Sequence, residues 1–498
     1  MKKKILIYLL AILVATSSIN NQCFAHDDHE DAHSELFKTV VVEDGTNLNV
    51  VECVALAFKN SPKIKRKKYE LDIAKSNVGR AKSAFFPVIG AGVGFHNENN
   101  SNHDVYPKYY RELPNVGVAI NQLVWDFGKS TANIKMEEFY KIGAEYEFMD
   151  SLCLTLFDVK LKYYEVLKAQ ALVSIAEDNV KICKKYLEIA KGRPDKTTAS
   201  VQLSKALFEL AYAKTVLKNA KVNLSNAMYV DNTPQYNILN TKTFAYNHDY
   251  GYENQYIPPK FVPQNFDFSK NKAMEIAYSN SPDLKVLEAT RDAMIQALKY
   301  VKRTYLPELS ANVGYGYNNT NEASNNSLQV GVNLSTSVNL MELKHSIKGA
   351  DAQLKLADNE IELFKKDLYF VVQEAFNNIE FAADDVPYAQ NTATQALENI
   401  KVVESMYNSG ALNYVALQDA RKDYITAMQN YITSLHFYNK SLIEVEEALH
   451  YHMVDIHHKS QHAVSSHADE LIEHLNEALD CEEKEKPRKK SKKAKANL

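Results

Sequence analysis

Glycine, proline and cysteine are scarce in this sequence, and their scarcity narrows the fold class. The 498 residues include 15 glycines, 13 prolines and 5 cysteines. So few turn-forming residues argue against a pure β fold of many short strands and favour long helices. The cysteines are far apart and lack the spacing of metal ligands. A cysteine-based metal site is therefore not expected.

The sequence also lacks an excess of either charge. Lysine and arginine number 58 against 62 for aspartate and glutamate, so the composition does not support nucleic-acid binding. There is no glycine-rich phosphate loop, no Ser/His/Asp arrangement and no carboxylate pair in an apolar setting. We therefore expect no enzymatic activity, no cofactor and no nucleic-acid partner.

Long hydrophobic runs are missing after the N-terminus. No later stretch approaches the roughly 18 to 20 apolar residues of a membrane-spanning helix. The first 25 residues have the pattern of a signal peptide, with the basic start MKKK, the apolar stretch ILIYLLAILVA and a small residue at Ala25. The sequence thus predicts an exported protein without a helical membrane span.

Two halves of the chain repeat one design. The segment NSPKIKRKKYELDIAKSNVGRAKSAFFPVIGAGVGF begins at Asn60 and aligns without a gap with NSPDLKVLEATRDAMIQALKYVKRTYLPELSANVGY from Asn280. In both, a helical stretch ends at a proline that opens a strand. The alignment predicts a two-fold internal repeat, with three matched pairs that carry it: Pro62 and Pro282, Pro87 and Pro307, Gly94 and Gly314.

Strands follow each of these prolines. In SLQVGVNLSTSVNL, from Ser327 to Leu340, apolar and polar residues alternate except at Thr336, which is typical of a β-strand with two unlike faces. The pattern predicts one β-hairpin in each half, over 88–125 and 308–340, and so four strands per chain. Polar loops at 97–104 and 318–326 separate the strands of each hairpin.

Heptad repeats follow each hairpin. Val166, Val173, Val180 and Leu187 are seven residues apart, and small residues such as Ala169 and Ala176 repeat beside them. Such spacing is typical of a coiled-coil seam. Glycines interrupt the pattern at Gly192 and Gly410, where a helix end is expected. Each half therefore ends in a long helical hairpin with its tip near one of these glycines.

The predicted organisation follows from these patterns. It comprises the signal peptide (1–25), a His- and acid-rich extension (26–46), the first repeat (47–230), an equatorial linker (231–268), the second repeat (269–455) and a His- and Lys-rich tail (456–498).

Four strands cannot close a barrel, and an apolar sheet with unpaired edges aggregates. In the outer membrane every backbone group must be paired, so the sheet must close. Two copies give eight strands, which their own side chains would fill, whereas three copies give twelve and leave an aqueous channel. Lipid would then face Leu328, Val330, Val332 and Leu334, and water would face the polar residues between them.

In the order of these features, the chain resembles the TolC-like outer-membrane efflux proteins. The resemblance covers roughly residues 47 to 455. It rests on the proline-led hairpins, the Leu/Ala heptads, VWDFGKS from Val124 and YNSGALNYVALQDA from Tyr407. It implies a trimer with a twelve-stranded barrel in outer-membrane lipid and a periplasmic helical tunnel. The implied partners are a periplasmic adaptor and an inner-membrane transporter. The stretch from Gly192 is closer to type I secretion members.

The same resemblance implies a gate at the periplasmic mouth. The family's acidic ring falls on Ala416 and Asp419, of which only Asp419 is acidic here. Tyr407 and Tyr414 are expected to help hold the mouth shut. The tips at Gly192 and Gly410 are expected to dock the adaptor.

Histidines are concentrated near both ends of the chain. His450, His452, His457, His458 and His462 could bind a divalent metal if helical turns brought them together. That reading would favour a heavy-metal efflux duct, whereas a solvated extension needs no metal. A different class of protein, an exported coiled-coil scaffold, is disfavoured by the four alternating strands.

Overall fold

The computed structural model describes residues 42, 45–99, 110–191, 194–231, 237–238, 270–319 and 324–450. The elements below lie in the unit that ends at Leu449. The first half contains β1 (Asn47–Leu48), α1 (Val50–Asn60), α2 (Pro62–Lys82), β2 (Val88–Asn99), β3 (Tyr110–Trp125), α3 (Lys129–Ile189), α4 (Lys196–Ala227) and β4 (Asn237–Ile238). The second contains α5 (Lys270–Asn280), α6 (Pro282–Arg303), β5 (Glu308–Asn319), β6 (Ser324–Ser335), α7 (Leu340–Asn408) and α8 (Tyr414–Leu449).

The hydrogen bonds that cap the N-termini of α2 and α6 confirm the two-fold repeat. Ser61 accepts a hydrogen bond from the backbone N–H of Ile64, and Ser281 accepts one from Leu284, both at 3.3 Å. A proline follows each serine as the first helical residue, where its missing N–H costs nothing. The same local chemistry therefore starts α2 and α6.

The predicted helical hairpins are also confirmed. α3 has 61 residues and α7 has 69, so each runs for roughly 90 to 100 Å. The seam residues Val166, Val173 and Val180 of α3 are buried, Leu187 is half-buried, and Ala190, directly after the helix, is fully inaccessible. Among the described residues, no helix combines the length and the hydropathy that crossing a membrane requires.

The four long strands form one antiparallel sheet in the order β2-β3-β5-β6. The two hairpins thus lie side by side, joined by the pairing of β3 with β5. The predicted strand that ran to Leu340 was too long, because β6 ends at Ser335. Asn339 instead caps α7, where its side chain accepts from the N–H groups of Met341 and Glu342.

The sheet has one continuous apolar face. Cross-strand partners share a face, and the register joins Ile89 to Ile120, Ile120 to Val313 and Val313 to Val330. Val330 and Val332 are each 73% exposed although they are apolar. The opposite face carries mainly small or polar residues, and its apolar exceptions, Val88 and Leu123, lie near the helices. The small or polar residues are Gly90, Gly92, Gly117, Ala119, Asn121, Glu308, Ser310, Asn312, Gly314, Gly316, Ser327, Gln329, Gly331, Asn333 and Ser335.

The strand-to-helix junction at 126–130 connects the two halves. Asp126, which is buried, accepts from the backbone N–H groups of Gly128 and Ser130. The Arg303 guanidinium donates to the Gly128 carbonyl at 2.8 Å. Gly128 has a φ of 80°, and a Cβ there would lie 2.7 Å from Arg303 Nη1. Only glycine therefore fits this junction without rearrangement.

A second, two-stranded sheet involves the predicted linker. Asn237 and Ile238 pair in parallel with Asn47 and Leu48. Most of the predicted linker, 239–268, lies outside the described residues, as do the extensions at 1–41 and 451–498.

Candidate functional site at the tips of the helical hairpins

The tip of the second hairpin is built from backbone signals in the sequence. Gly410 has a φ of 80°, and its N–H donates to the Tyr407 carbonyl, while the N–H of Ala411 donates to Met406. This pair of bonds is a Schellman motif, which ends α7. Asn413 then accepts from the N–H of Ala416 at 3.0 Å and starts α8.

Three tyrosines join the two hairpins close to this tip. Tyr186 of α3 lies 6.1 Å from Tyr407 and 6.4 Å from Tyr414, measured between ring centroids, and Tyr407 lies 5.9 Å from Tyr414. Tyr407 and Tyr414 are 5% and 1% exposed. The rings pack in one cluster with Ala190, Ala199 and Leu417. Both predicted tyrosines therefore contact the other hairpin of the same chain.

A polar network surrounds the Tyr186 ring. The Tyr186 hydroxyl donates to Glu404 Oε1 at 2.7 Å. Arg421, only 4% exposed, stacks its guanidinium over the ring at 5.2 Å from the centroid. Its Nη2 donates to Asn179 Oδ1 at 3.4 Å, a long hydrogen bond. These contacts link α3 to α7 and α8, which makes the tip a single packed unit within the chain.

Four buried polar atoms at this tip have no hydrogen-bond partner in the described part of the chain. They are Tyr407 Oη, Tyr414 Oη, Gln418 Nε2 and Arg421 Nη1. An unsatisfied buried group costs about 1–3 kcal/mol, and a charged one costs more. Burial raises the pKa of Tyr414 to about 12, so its hydroxyl keeps its proton at neutral pH. Packing at the tip therefore leaves four buried polar atoms unsatisfied, which lowers the free energy of unfolding.

The predicted gate carboxylate lies elsewhere on α8. Asp419 is exposed and takes no part in the tyrosine cluster. Ala416, one turn earlier, is half-buried. Within one chain the structure thus places Asp419 on an open surface, apart from Tyr407 and Tyr414.

Two further sets of predicted residues are little described. Gly192 lies outside the described residues, as do His452, His457, His458 and His462. His450 follows the end of α8 with a φ of 46°. Among the residues that are described, no group of three His, Cys, Asp or Glu side chains is placed to hold a metal ion.

Tyr186, Glu404 and Arg421 were missed by the sequence analysis. Tyr186 directly precedes the seam residue Leu187, and Arg421 directly follows the small seam residue Ala420. A position beside a seam is the only local signal that either residue carries. Their pairing crosses more than 200 residues of sequence, which periodicity cannot detect.

The match to a known protein family falls in two segments that correspond to the two halves of the internal repeat. The sequence profile described as "Outer membrane efflux protein" matches residues 54–229 and 273–449, which is well over half of the chain. No curated protein sequence matches significantly.

Solved structures share the fold at low sequence identity. The Campylobacter jejuni CmeC outer membrane channel has 13% identity and a TM-score of 0.68, over 86% of this chain and 89% of that one. VceC from Vibrio cholerae has 12% identity and a TM-score of 0.66, over 80% and 95%. The Neisseria gonorrhoeae MtrE channel has 11% identity and a TM-score of 0.64, over 81% and 89%.

Proposed function

The chain belongs to the outer membrane efflux protein family, and from this premise we propose that three copies form the outer-membrane duct of a tripartite transport assembly. The sheet of each copy contributes four strands to a twelve-stranded barrel, and the helices form a tunnel in the periplasm. The duct conducts its substrate passively and catalyses no reaction. An inner-membrane transporter selects the cargo.

The observation that carries this proposal is the pair of unpaired sheet edges. The sheet begins with β2 and ends with β6, and neither has a further neighbour within the described residues. Its apolar face suits lipid, but lipid cannot satisfy the backbone groups of an open edge. Further copies of the chain must therefore pair with both edges. Three copies leave a bore, whereas two would fill it.

Exposed heptads on the helices support the same assembly. Val201 and Phe208 of α4 lie seven residues apart and are 48% and 74% exposed. Leu356, Leu363 and Phe370 of α7 repeat the spacing and are 57%, 56% and 67% exposed. An apolar stripe of this period is a coiled-coil seam that lacks its partner helix. Neighbouring copies would cover both stripes.

The proposed partners are a periplasmic adaptor, which would dock at the tips near Gly192 and Gly410, and an inner-membrane transporter. A type I secretion transporter is the narrower proposal, supported by the sequence from Gly192. Crosslinking in intact cells followed by purification of the complex would identify both proteins. A drug or metal exporter among the crosslinked proteins would replace the secretion role and leave the duct in place.

The assembly is tested on the mature protein purified in detergent. The unheated sample should migrate as an oligomer with the mass of three chains, dissociate on heating and form channels in a planar bilayer. Tags inserted between the paired strands, at 100–104 or 320–323, should be labelled on intact cells. A monomer that is soluble without detergent would instead indicate an exported coiled-coil scaffold.

A further inference from the structure

All four junctions between the sheet and the helices expose large apolar side chains. Phe86 is 67% exposed, Trp125 is 56% and Leu340 is 74%. We name this set the apolar collar, and its members are Phe85, Phe86, Trp125, Phe127, Tyr305, Leu340 and Met341. Because these residues adjoin the strand ends, they mark the edge of the apolar face on the helical side of the sheet.

Strand register and hydrogen bonds hold the collar at one level. Trp125 pairs with Leu309, which pairs with Leu334 of β6. The Gln122 side chain donates to the Phe85 carbonyl at 2.9 Å, and the Thr336 hydroxyl donates to the Tyr305 carbonyl at the same distance. The collar residues of different junctions are thus tied to neighbouring strands near their ends.

Exposed cations lie next to the collar on its helical side. α2 ends with Arg80 and Lys82, and α6 ends with Lys302 and Arg303. In both halves, therefore, a pair of basic residues precedes an aromatic residue, a proline and a strand. On α7, Lys344 and Lys348 follow Leu340 at intervals of four residues, which places all three on one face of the helix.

Some of these cations are already engaged. Lys82 pairs with Glu138 at 3.2 Å, and Arg303 donates to the Gly128 carbonyl. Asp351 is influenced by Lys302 but forms its ion pair with Lys355. The remaining four are exposed and make no ion pair with any described residue, and we name them the basic ring: Arg80, Lys302, Lys344 and Lys348.

The order of apolar collar and basic ring matches the order of layers in a lipid leaflet. Aromatic side chains favour the boundary between hydrocarbon and headgroups. Lysine and arginine one to two helical turns further out reach the headgroup level, where they attract anionic lipids. Arginine and lysine also donate charge-assisted hydrogen bonds to phosphate oxygens. The chemistry that this surface recognises is therefore a phosphodiester beside an acyl chain.

We infer that the apolar collar and the basic ring bind the phosphate groups of anionic phospholipids in the periplasm-facing leaflet of the outer membrane. The inference rests on the proposed orientation, with the helices in the periplasm. It adds a preference for anionic over zwitterionic lipid, which would anchor the depth of the barrel in the membrane.

The test uses the full mature oligomer in lipid nanodiscs that contain phosphatidylethanolamine with or without phosphatidylglycerol. Native mass spectrometry would measure which lipid is retained. We expect the parent protein to retain phosphatidylglycerol preferentially. The combined substitutions R80Q, K302Q, K344Q and K348Q should reduce that preference at least about tenfold.

Two matched variants make the outcome specific. K59Q, K63Q, K65Q and K218Q remove four exposed lysines away from the collar and should leave the preference unchanged. The charge-conserving set R80K, K302R, K344R and K348R should retain it, which separates charge from misfolding. Equal loss in the control set, or none in the basic-ring set, would overturn the inference.

Competition with inorganic phosphate distinguishes a lipid site from a phosphate site. If inorganic phosphate displaces phosphatidylglycerol completely, the surface is a phosphate site and the lipid inference is wrong. An oligomer that conducts ions but shows no lipid preference would contradict this inference and leave the proposed function in place. A chain that forms no membrane oligomer would overturn the proposed function itself.

Discussion

At the scale of single residues, the three tyrosines at the tip differ in one respect. The Tyr186 hydroxyl has a partner in Glu404, whereas those of Tyr407 and Tyr414 have none. All three rings are buried and pack against one another. Each Tyr→Phe substitution removes one phenolic hydroxyl from the same cluster. The change in ring packing is therefore the same in all three, and only the hydrogen bonding differs.

We predict effects of opposite sign. Tyr407→Phe and Tyr414→Phe remove unsatisfied groups and should raise the free energy of unfolding by about 1 kcal/mol each or leave it unchanged. Tyr186→Phe takes a donor from Glu404 and should lower it by about 1–3 kcal/mol. Chemical denaturation of the three variants measures this. Equal destabilisation by all three would contradict the assigned hydrogen bonds.

Asp150 supports a prediction about pH. Burial raises its pKa from 3.8 to about 6, and the carboxylates of Asp283 and Glu447 act in the same direction. The folded state thus binds a proton more tightly than the unfolded state, so stability should rise as pH falls from about 6 towards 4. Above pH 6 the charged form of Asp150 is unfavourable in the folded protein.

Asp150→Asn should therefore stabilise the protein at pH 7, on the order of 1 kcal/mol after allowance for solvent screening. The advantage should shrink as the pH falls below 6. Unfolding midpoints measured at pH 7 and pH 5 test this. Asp158→Asn, at an exposed position of the same helix, removes the same charge and is the control. A stabilisation that does not change with pH would count against the assignment.

At the scale of helices, Gly410 and Gly349 differ in whether the backbone conformation requires glycine. Gly410 has a φ of 80°, while Gly349 lies inside α7, and a Cβ at either position meets no atom within 4 Å. Gly410→Ala should lower stability by about 1 kcal/mol through backbone strain. Gly349→Ala should raise it by up to about 1 kcal/mol through helix propensity. Thermal unfolding that shows the same sign for both would refute the cap at Gly410.

The seam between α3 and α4 depends on small side chains. Ala206 is 2% exposed and packs with Val180 and Cys183, and Ala220 is 8% exposed. Leucine at both positions should overpack the seam and cost about 1–3 kcal/mol per site. Heat resistance of the oligomer is the measurement. An equally heat-resistant double variant would show that the seam tolerates bulk.

At the scale of the whole assembly, Asp419 tests the proposed gate. Three copies around a three-fold axis would bring three exposed carboxylates to the mouth, which attracts cations and disfavours anions. Asp419→Asn should lower the cation preference and weaken block by divalent cations in single-channel recordings. Asp423→Asn, at an exposed position one turn further along α8, is the control. If ion selectivity survives in Asp419→Asn, the gate is built from other residues.

The sequence by itself determined the features that depend on local chemistry. The proline-led strands, the heptads and the helix end at Gly410 follow from backbone preferences and side-chain periodicity within a few turns. Even so, the end of β6 was misplaced, because apolar residues resume the alternation at Val338 and Leu340 after the break at Thr336, while Asn339 instead caps a helix.

Only the tertiary structure decided which distant residues meet. The pairing of β3 with β5 makes one apolar face from two hairpins, and the packing of the hairpins brings Tyr186 to Glu404 and Arg421. Neither pairing has a sequence period, because each depends on how whole elements lie against one another. The same holds for the unsatisfied polar atoms at the tip, since a hydrogen bond is gained or lost according to the final position of its partner.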